Sequence, residues 1–139
     1  MSATASSGPC LIPLPGSGPE DVVVDADGWL IVGVDDGRVL KVDPVTGNTQ
    51  VLAQLAGRPL GLEVLPDGQI LACISPGGVV RIDPASGAVT ALISAFEGKP
   101  LPFCSNVVAA SDGSIFISTS SARYTFRQWR LDIEEHRAT

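Results

Sequence analysis

The sequence predicts an all-β chain assembled from repeated sheets, and three observations carry that prediction. The first is a pattern that occurs three times: Asp25-Ala-Asp27-Gly28-Trp29-Leu-Ile31, Leu65-Pro-Asp67-Gly68-Gln-Ile70-Leu and Ala110-Ser-Asp112-Gly113-Ser-Ile115-Phe. The second is a companion turn, Asp43-Pro44-Val-Thr-Gly47, answered by Asp83-Pro84-Ala-Ser-Gly87. Both marks recur after 40 residues, and the third Asp-Gly follows the second after 45. The third is composition: 45% apolar and 17% charged residues with 15 Gly and 11 Pro, a mix that suits turn-rich, mostly covered strands. A period of this size, built from strands and tight turns, marks the blades of a β-propeller. Propellers gather function at one end of a central channel, so the repeat also says where to look.

Taken in order, residues 1–19 form a flexible N-terminal segment rich in Ser, Gly and Pro. Its short apolar patch, Cys10-Leu-Ile-Pro-Leu14, is able to lie along a neighbouring strand. An incomplete propeller domain then spans 20–139, with blades at about 20–56, 57–95 and 103–139. In the first blade, Val22–Val24 reads as a buried run, Asp27-Gly28 as a hairpin turn and Trp29–Val32 as the return strand. Asp35-Asp-Gly37 turns the chain into Arg38–Val42, whose alternation suits a half-exposed strand. Asp43-Pro44…Gly47 is a turn in which Pro presets φ and Gly tolerates a positive one. Thr49–Ala53 closes the unit as an outer strand.

The second blade repeats this with strands at 61–65, 70–74, 79–82 and 89–93. A longer loop, Ser94 to Phe103, leads to strands at 106–110 and 114–118. After Ser120 the β pattern breaks, and 127–137 favours a helical turn or loop with Trp129 and Ile133 on one stripe. Two to three blades leave strand edges and sheet faces uncovered, which invites association. The expectation is therefore part of a longer protein, or copies that self-associate through open blade faces. A compact irregular fold is the third alternative.

The net charge of −6 excludes classes of partner. No Lys/Arg patch offers a counterion surface to nucleic acid or to an anionic membrane. Cys10, Cys73 and Cys104 are an odd number at unrelated spacings and read as small buried thiols. The first residues lack a basic and an apolar signal region. No apolar run approaches the length that spans a bilayer. The expectation is a soluble, cytoplasmic protein.

A set of ordered motifs resembles the strictosidine synthase-like family. They are Gly18-Pro-Glu20-Asp-Val-Val, Val34-Asp-Asp-Gly37-Arg38, Gly57-Arg58-Pro59-Leu60-Gly61-Leu62 and Glu97-Gly98. Phe103-Cys-Ser-Asn106, Ile115-Phe-Ile-Ser-Thr119-Ser-Ser121, Tyr124 and Trp129…His136 continue the series. That family is similar to the gluconolactonase and paraoxonase groups. The resemblance implies a six-bladed propeller of which this chain, with about two and a half to three four-stranded blades, forms the N-terminal half.

The resemblance also implies roles. Glu20, just before the first inner strand, matches a calcium-ligating Glu, and Asn106 matches an amide ligand in the third unit. Ca²⁺ takes six to eight hard oxygen ligands, and one per blade can converge on an axis. The alternatives are a solvated loop acid at Glu20 and a local backbone-bonding Asn at 106. Leu60 and Thr119 fall at the family's substrate pocket; Arg58 is a further pocket candidate that either reaches the channel or pairs with a neighbouring acid. Where paraoxonase-like members carry a general-base His, this chain has Leu60, which cannot accept a proton. Close relatives often carry Asp where this chain has Thr119. No catalytic residue is assigned. His136, after two carboxylates, reads as a polar surface residue. Ser120 and Ser121 lack a nucleophile elbow. The resulting expectation is a hydrolase of small esters or lactones in the complete domain, with a small-molecule substrate and a Ca²⁺ ion. The isolated chain is expected to be inactive. The alternative is a non-catalytic segment for binding or assembly.

Overall fold

The computed structural model describes residues 8–135. Residues 1–7 of the expected flexible segment, and His136, lie outside the described residues. Two four-stranded antiparallel sheets dominate. The first is β1 (Val22–Val24), β2 (Leu30–Gly33), β3 (Arg38–Val42) and β4 (Thr49–Gln54). The second is β5 (Arg58–Val64), β6 (Ile70–Ser75), β7 (Gly78–Ile82) and β8 (Val89–Ile93). In each, strands pair in sequence order, as a meander of short turns requires. A short hairpin, β9 (Ala95–Phe96) with β10 (Lys99–Pro100), precedes a two-stranded sheet of β11 (Phe103–Ala109) and β12 (Ile115–Ser121). A 3-10 turn at Phe126–Gln128 runs into the short helix α1 (Trp129–Glu134).

The repeat is physical as well as textual. Gly28, Gly68 and Gly113 all take positive φ, and each donates its N–H to the carbonyl three residues earlier, on Asp25, Leu65 and Ala110. Asp43 and Asp83 organise the other turn by one mechanism. Asp43 Oδ1 accepts from Val45 N and its Oδ2 from Thr46 Oγ1, both at 2.8 Å; Asp83 does the same with Ala85 N and Ser86 Oγ at 2.9 and 2.8 Å. Such Asx geometry lets a side chain stand in for a backbone turn. The acids of these turns are thereby accounted for.

Apolar layers join neighbouring sheets. Ile31, Val39 and Ala53 of the first sheet pack on Leu62, Ile70, Ala72, Val80 and Ile82 of the second. Leu71, Cys73 and Val79 of the second pack on Cys104 and Val107 of the third. β1, β5 and β11, the first strands of the three sheets, stand side by side, as inner strands around an axis do. The outward face of the first sheet holds Val32, Val34, Leu40 and Val42, and Ile12 and Leu14 of the N-terminal segment lie across them.

Three expectations change. Val22–Val24 is not a buried run: Val22 and Val24 are 54% and 60% exposed, and only Val23 reaches the core between sheets. Side chains alternate along a strand, and the alternate face of β1 is one that no second sheet covers among the described residues. The loop from Ser94 to Phe103 contains a hairpin, because Glu97 and Gly98 both take positive φ, as a two-residue turn demands. Cys10 is exposed, while Cys73 and Cys104 are buried.

Candidate functional site

The segments before β1, β5 and β11 lie at one end of the sheets, together with the β2–β3 and β6–β7 turns. Hydrogen bonds and ion pairs hold them together. The Arg58 guanidinium, at the start of β5, pairs with Asp35 of the β2–β3 turn. It also donates to the Gly18 carbonyl at 3.0 Å and lies 4.2 Å from the centre of the Phe126 ring. Ser75 Oγ donates to the Pro102 carbonyl at 2.8 Å and accepts the Phe126 N–H at 2.8 Å. A single Arg and a single Ser thus tie the N-terminal segment, both upper turns and the helical segment into one rim.

Glu20 stands exposed at this rim, directly before β1. Desolvation by the surrounding protein raises its pKa above the ordinary carboxylate value, Arg58 opposes that rise, and Asp21 adds to it. Its neighbour Asp21 accepts the Leu62 N–H at 2.8 Å, which fastens the entry of β1 to β5. On the other side of β5, Asn106 lies against Gly61. Register shifts in the β11–β12 pairing precede Asn106. Its N–H donates to Ser118 Oγ at 3.1 Å, and its Oδ1 accepts the Val107 N–H at 2.8 Å. Asp21, next to Glu20, and Asn106 thus contact the same inner strand at adjacent residues, 62 and 61.

Both offer hard oxygens, the donor type Ca²⁺ takes. They are too few alone. Among the described residues no three His, Cys, Asp or Glu side chains converge as a metal site. The Asn106 Oδ1 already accepts a backbone hydrogen bond, from Val107 N–H.

The three pocket candidates do not come together. Arg58 is mostly buried and lines a cleft of about 200 Å³ with Asp35, Ser75 and Arg127. Leu60 is 1% exposed and belongs to the core between the second and third sheets, so it walls no pocket. Thr119 is exposed and lines a different groove, of about 330 Å³, with Ile93, Phe96 and Leu101. Strand alternation explains the split. Leu60 points into the layer between sheets, whereas Thr119 sits near the end of the edge strand β12, beyond the reach of that layer.

Sequence reasoning passed over Asp35, Ser75 and Phe126. Asp35 was legible only as a turn former. Nothing in the spacing of Ser75 and Phe126 announces that they meet. Trp29 is half-buried, with Lys41 Nζ 5.2 Å from its ring centre, and Lys41 pairs with Asp25 at 2.7 Å. This second polar cluster lies at the opposite end of β1.

Comparisons with known proteins agree with this architecture. Residues 7–42 match the model of the strictosidine synthase-like N-terminal family. The adipocyte plasma membrane-associated proteins of Rattus norvegicus and Mus musculus are each 29% identical over 136 aligned residues. The matches cover 86% of this chain and 35% and 32% of those proteins, so the chain spans about a third of their length. Among solved structures, a gluconolactonase from Xanthomonas campestris superposes with a TM-score of 0.67 at 23% identity, over 76% of this chain and 36% of that one. A virginiamycin B lyase from Staphylococcus aureus superposes with a TM-score of 0.60 at 17% identity, over 77% and 37%. These identities speak for the fold alone. Residues 7–42 are thus similar to the strictosidine synthase-like N-terminal family, and the fold matches part of a gluconolactonase-type propeller.

Proposed function

We propose that this chain supplies the first sheets of a propeller that hydrolyses small esters or lactones. What supports the reading is that Asn106 lies against Gly61 of β5, while Asp21, next to Glu20, accepts the Leu62 N–H one residue on. In this reading the two side chains hold a Ca²⁺ ion together with oxygens from polypeptide outside these 139 residues. The ion, when bound, polarises a carbonyl toward attack by water. The chain's own residues do the positioning. Asp21 pins β1 to β5, Gly61 admits Asn106, and Arg58 fixes the rim by pairing with Asp35. Leu60 takes no proton, so a general base comes from elsewhere in the domain. The cytoplasmic location expected from the sequence is part of the same proposal. No helix among the described residues is long and apolar enough to cross a membrane.

The test is calcium dependence. In a chain lengthened to match its relatives, calcium should raise the melting temperature, and Glu20→Gln should abolish the rise. No response in that longer chain would remove the metal and with it the hydrolase reading. The 139 residues alone should show little or no lactone turnover; robust turnover abolished by Glu20→Gln would overturn that expectation.

A second reading, a non-catalytic segment for binding or assembly, rests on a separate observation. Val108 and Phe116 of the third sheet are 52% and 61% exposed, on a face that nothing described covers. Pairing of two copies through such faces predicts a dimer by light scattering, and a well-folded monomer would eliminate it.

A further inference from the structure

One acid of this chain is buried without an answering group. Asp132, in the first turn of α1, is 6% exposed. The ion pairs among the described residues engage Asp36, Asp25, Asp35 and Glu135, and none reaches Asp132. Its carboxylate accepts no hydrogen bond from any described residue. The Tyr124 hydroxyl, which feels its charge, donates to Glu135 instead, at 2.5 Å. A place in the first turn of a helix favours a negative charge, but only modestly and most of all where the helix is long. It does not account for a carboxylate withdrawn from water and left unpaired, one of the costliest groups a fold can carry.

Asp132 opens onto a cavity of about 500 Å³ between α1 and the third sheet, lined also by Phe103, Ser120, Phe126, Trp129 and Ile133. The chain has only four Phe and two Trp, and three of them gather here. Phe103 and Phe126 meet edge to face, with ring centres 5.7 Å apart and planes at 79°. Aromatic faces are electron-rich and attract cations. Two of these rings already do so: Arg58 lies 4.2 Å from the centre of Phe126, and Arg130 lies 5.5 Å from that of Trp129. Neither guanidinium answers Asp132. Arg58 is engaged by Asp35, and Arg130 is two residues away on the helix, where side chains diverge.

Carboxylate and rings together call for a cation, and the lining narrows its type. The polar groups are Asp132 and the Ser120 hydroxyl, which already shares a hydrogen bond with Ser105. A hard metal ion needs more oxygens than this. A primary ammonium brings three N–H donors, more than one carboxylate satisfies. A quaternary ammonium has no N–H to satisfy, and its methyl groups pack on ring faces. We propose that the cavity between α1 and the third sheet binds the quaternary ammonium group of a small molecule, with Asp132 as counter-charge and Phe103, Phe126 and Trp129 around its methyl groups. The inference rests on this cavity and not on the hydrolase reading.

Choline is the probe, titrated by calorimetry without calcium, so that its failure leaves the calcium test standing. The chain is lengthened to match its relatives, which lets polypeptide outside the 139 residues compete for Asp132. Choline should bind saturably and raise the melting temperature above that in sodium chloride of equal ionic strength. Its neutral isostere, with carbon in place of the charged nitrogen, should bind about tenfold more weakly, and so should ethanolamine. Asp132→Asn keeps the shape of the side chain. It should weaken choline binding about tenfold while raising the melting temperature of the unliganded chain, since an uncompensated charge is gone. Trp129→Leu should weaken binding without that rise. No binding at about 10 mM choline, or equal binding of the neutral isostere, overturns the proposal. Binding untouched by both substitutions does the same, because it places choline elsewhere. A lower melting temperature in unliganded Asp132→Asn also overturns it, by showing that a side chain from outside these residues answers the acid. Capture of the chain by phosphatidylcholine vesicles through Asp132 would replace the small molecule with a lipid surface.

Discussion

Asn106 lies directly against Gly61: a β-carbon on residue 61 would stand 2.5 Å from both the Asn106 Cα and its Oδ1. The Ser105 carbonyl oxygen would be 2.7 Å away. Strands β5 and β11 thus approach more closely here than any side chain permits, and that approach sets where Asn106 stands midway along β11.

Gly61→Ala follows from this contact. The obstacle includes backbone, so rotation of a side chain cannot relieve it, and β5 and β11 must separate. The expected cost is about 1–3 kcal/mol, as for overpacking in a filled interior. Urea unfolding followed by circular dichroism measures it. Asn106→Ala in the same chain should recover only part, since the Cα remains in place.

Arg58 is the second test of the rim. Arg58→Ala removes the pair with Asp35, the bond to the Gly18 carbonyl and the cover over Phe126 together. A loss of about 2 kcal/mol is expected for charge-assisted bonds that are mostly buried, with Asp35 half open to water moderating the figure. Arg58→Lys keeps the charge but not the planar fork, so it should restore less than half. Hydrogen exchange should quicken at residues 17–18 and 124–128 in both variants, and not in the lower turns around Asp43 and Asp83.

These two residues also show what a single sequence reveals. Strand positions were legible because Asp-Gly and Asp-Pro turns need particular residues at particular spacings. Where the reading went wrong, as at Val22–Val24, apolar character did not say which face another sheet would cover. The site was legible only as positions before inner strands. Leu60 and Thr119 sit near such positions, yet one points into the core and the other sits at an edge, since orientation depends on bulges such as those around Cys104. The partners of Arg58 were hidden for a simpler reason. Asp35 and Phe126 are brought to it by turns between sheets, and no periodicity encodes that meeting.

The Asp25–Lys41 pair gives the pH prediction. Burial pushes the Asp25 carboxyl up, but hydrogen bonds from Lys41 and from the Trp29 and Asp27 N–H groups outweigh it, so its pKa lies below the ordinary 3.8. A depressed folded-state pKa means stability that is fully present above 3.8 and lost as pH falls through the folded value. Lys41→Met should cost about 1–2 kcal/mol at neutral pH, as a partly buried charged hydrogen bond does. The gap between variant and parent should narrow steadily as pH falls below the ordinary value and through the lowered folded one, closing where both carry a protonated Asp25. Paired thermal melts across that range read it directly. A gap independent of pH would mean that Lys41 acts through its stem against Trp29 and not through its charge.

The three thiols should separate by reactivity. Cys73 is pushed up to about 12, first by burial, then by its neighbour Cys104 and by Glu20; burial also raises Cys104. Both sit in the layer between the second and third sheets at 0% exposure. The thiolate is the reactive form, so each is shielded twice, by access and by protonation. An aromatic disulfide reagent at pH 8 should therefore titrate one thiol, Cys10, in the native chain and three in urea. The rate of the two slow reactions should track the opening of the second and third sheets, so Gly61→Ala, which pries at the same layer, should speed Cys104 and Cys73 while leaving Cys10 unchanged. Fast modification of all three in the native chain would show that this layer is not closed in solution.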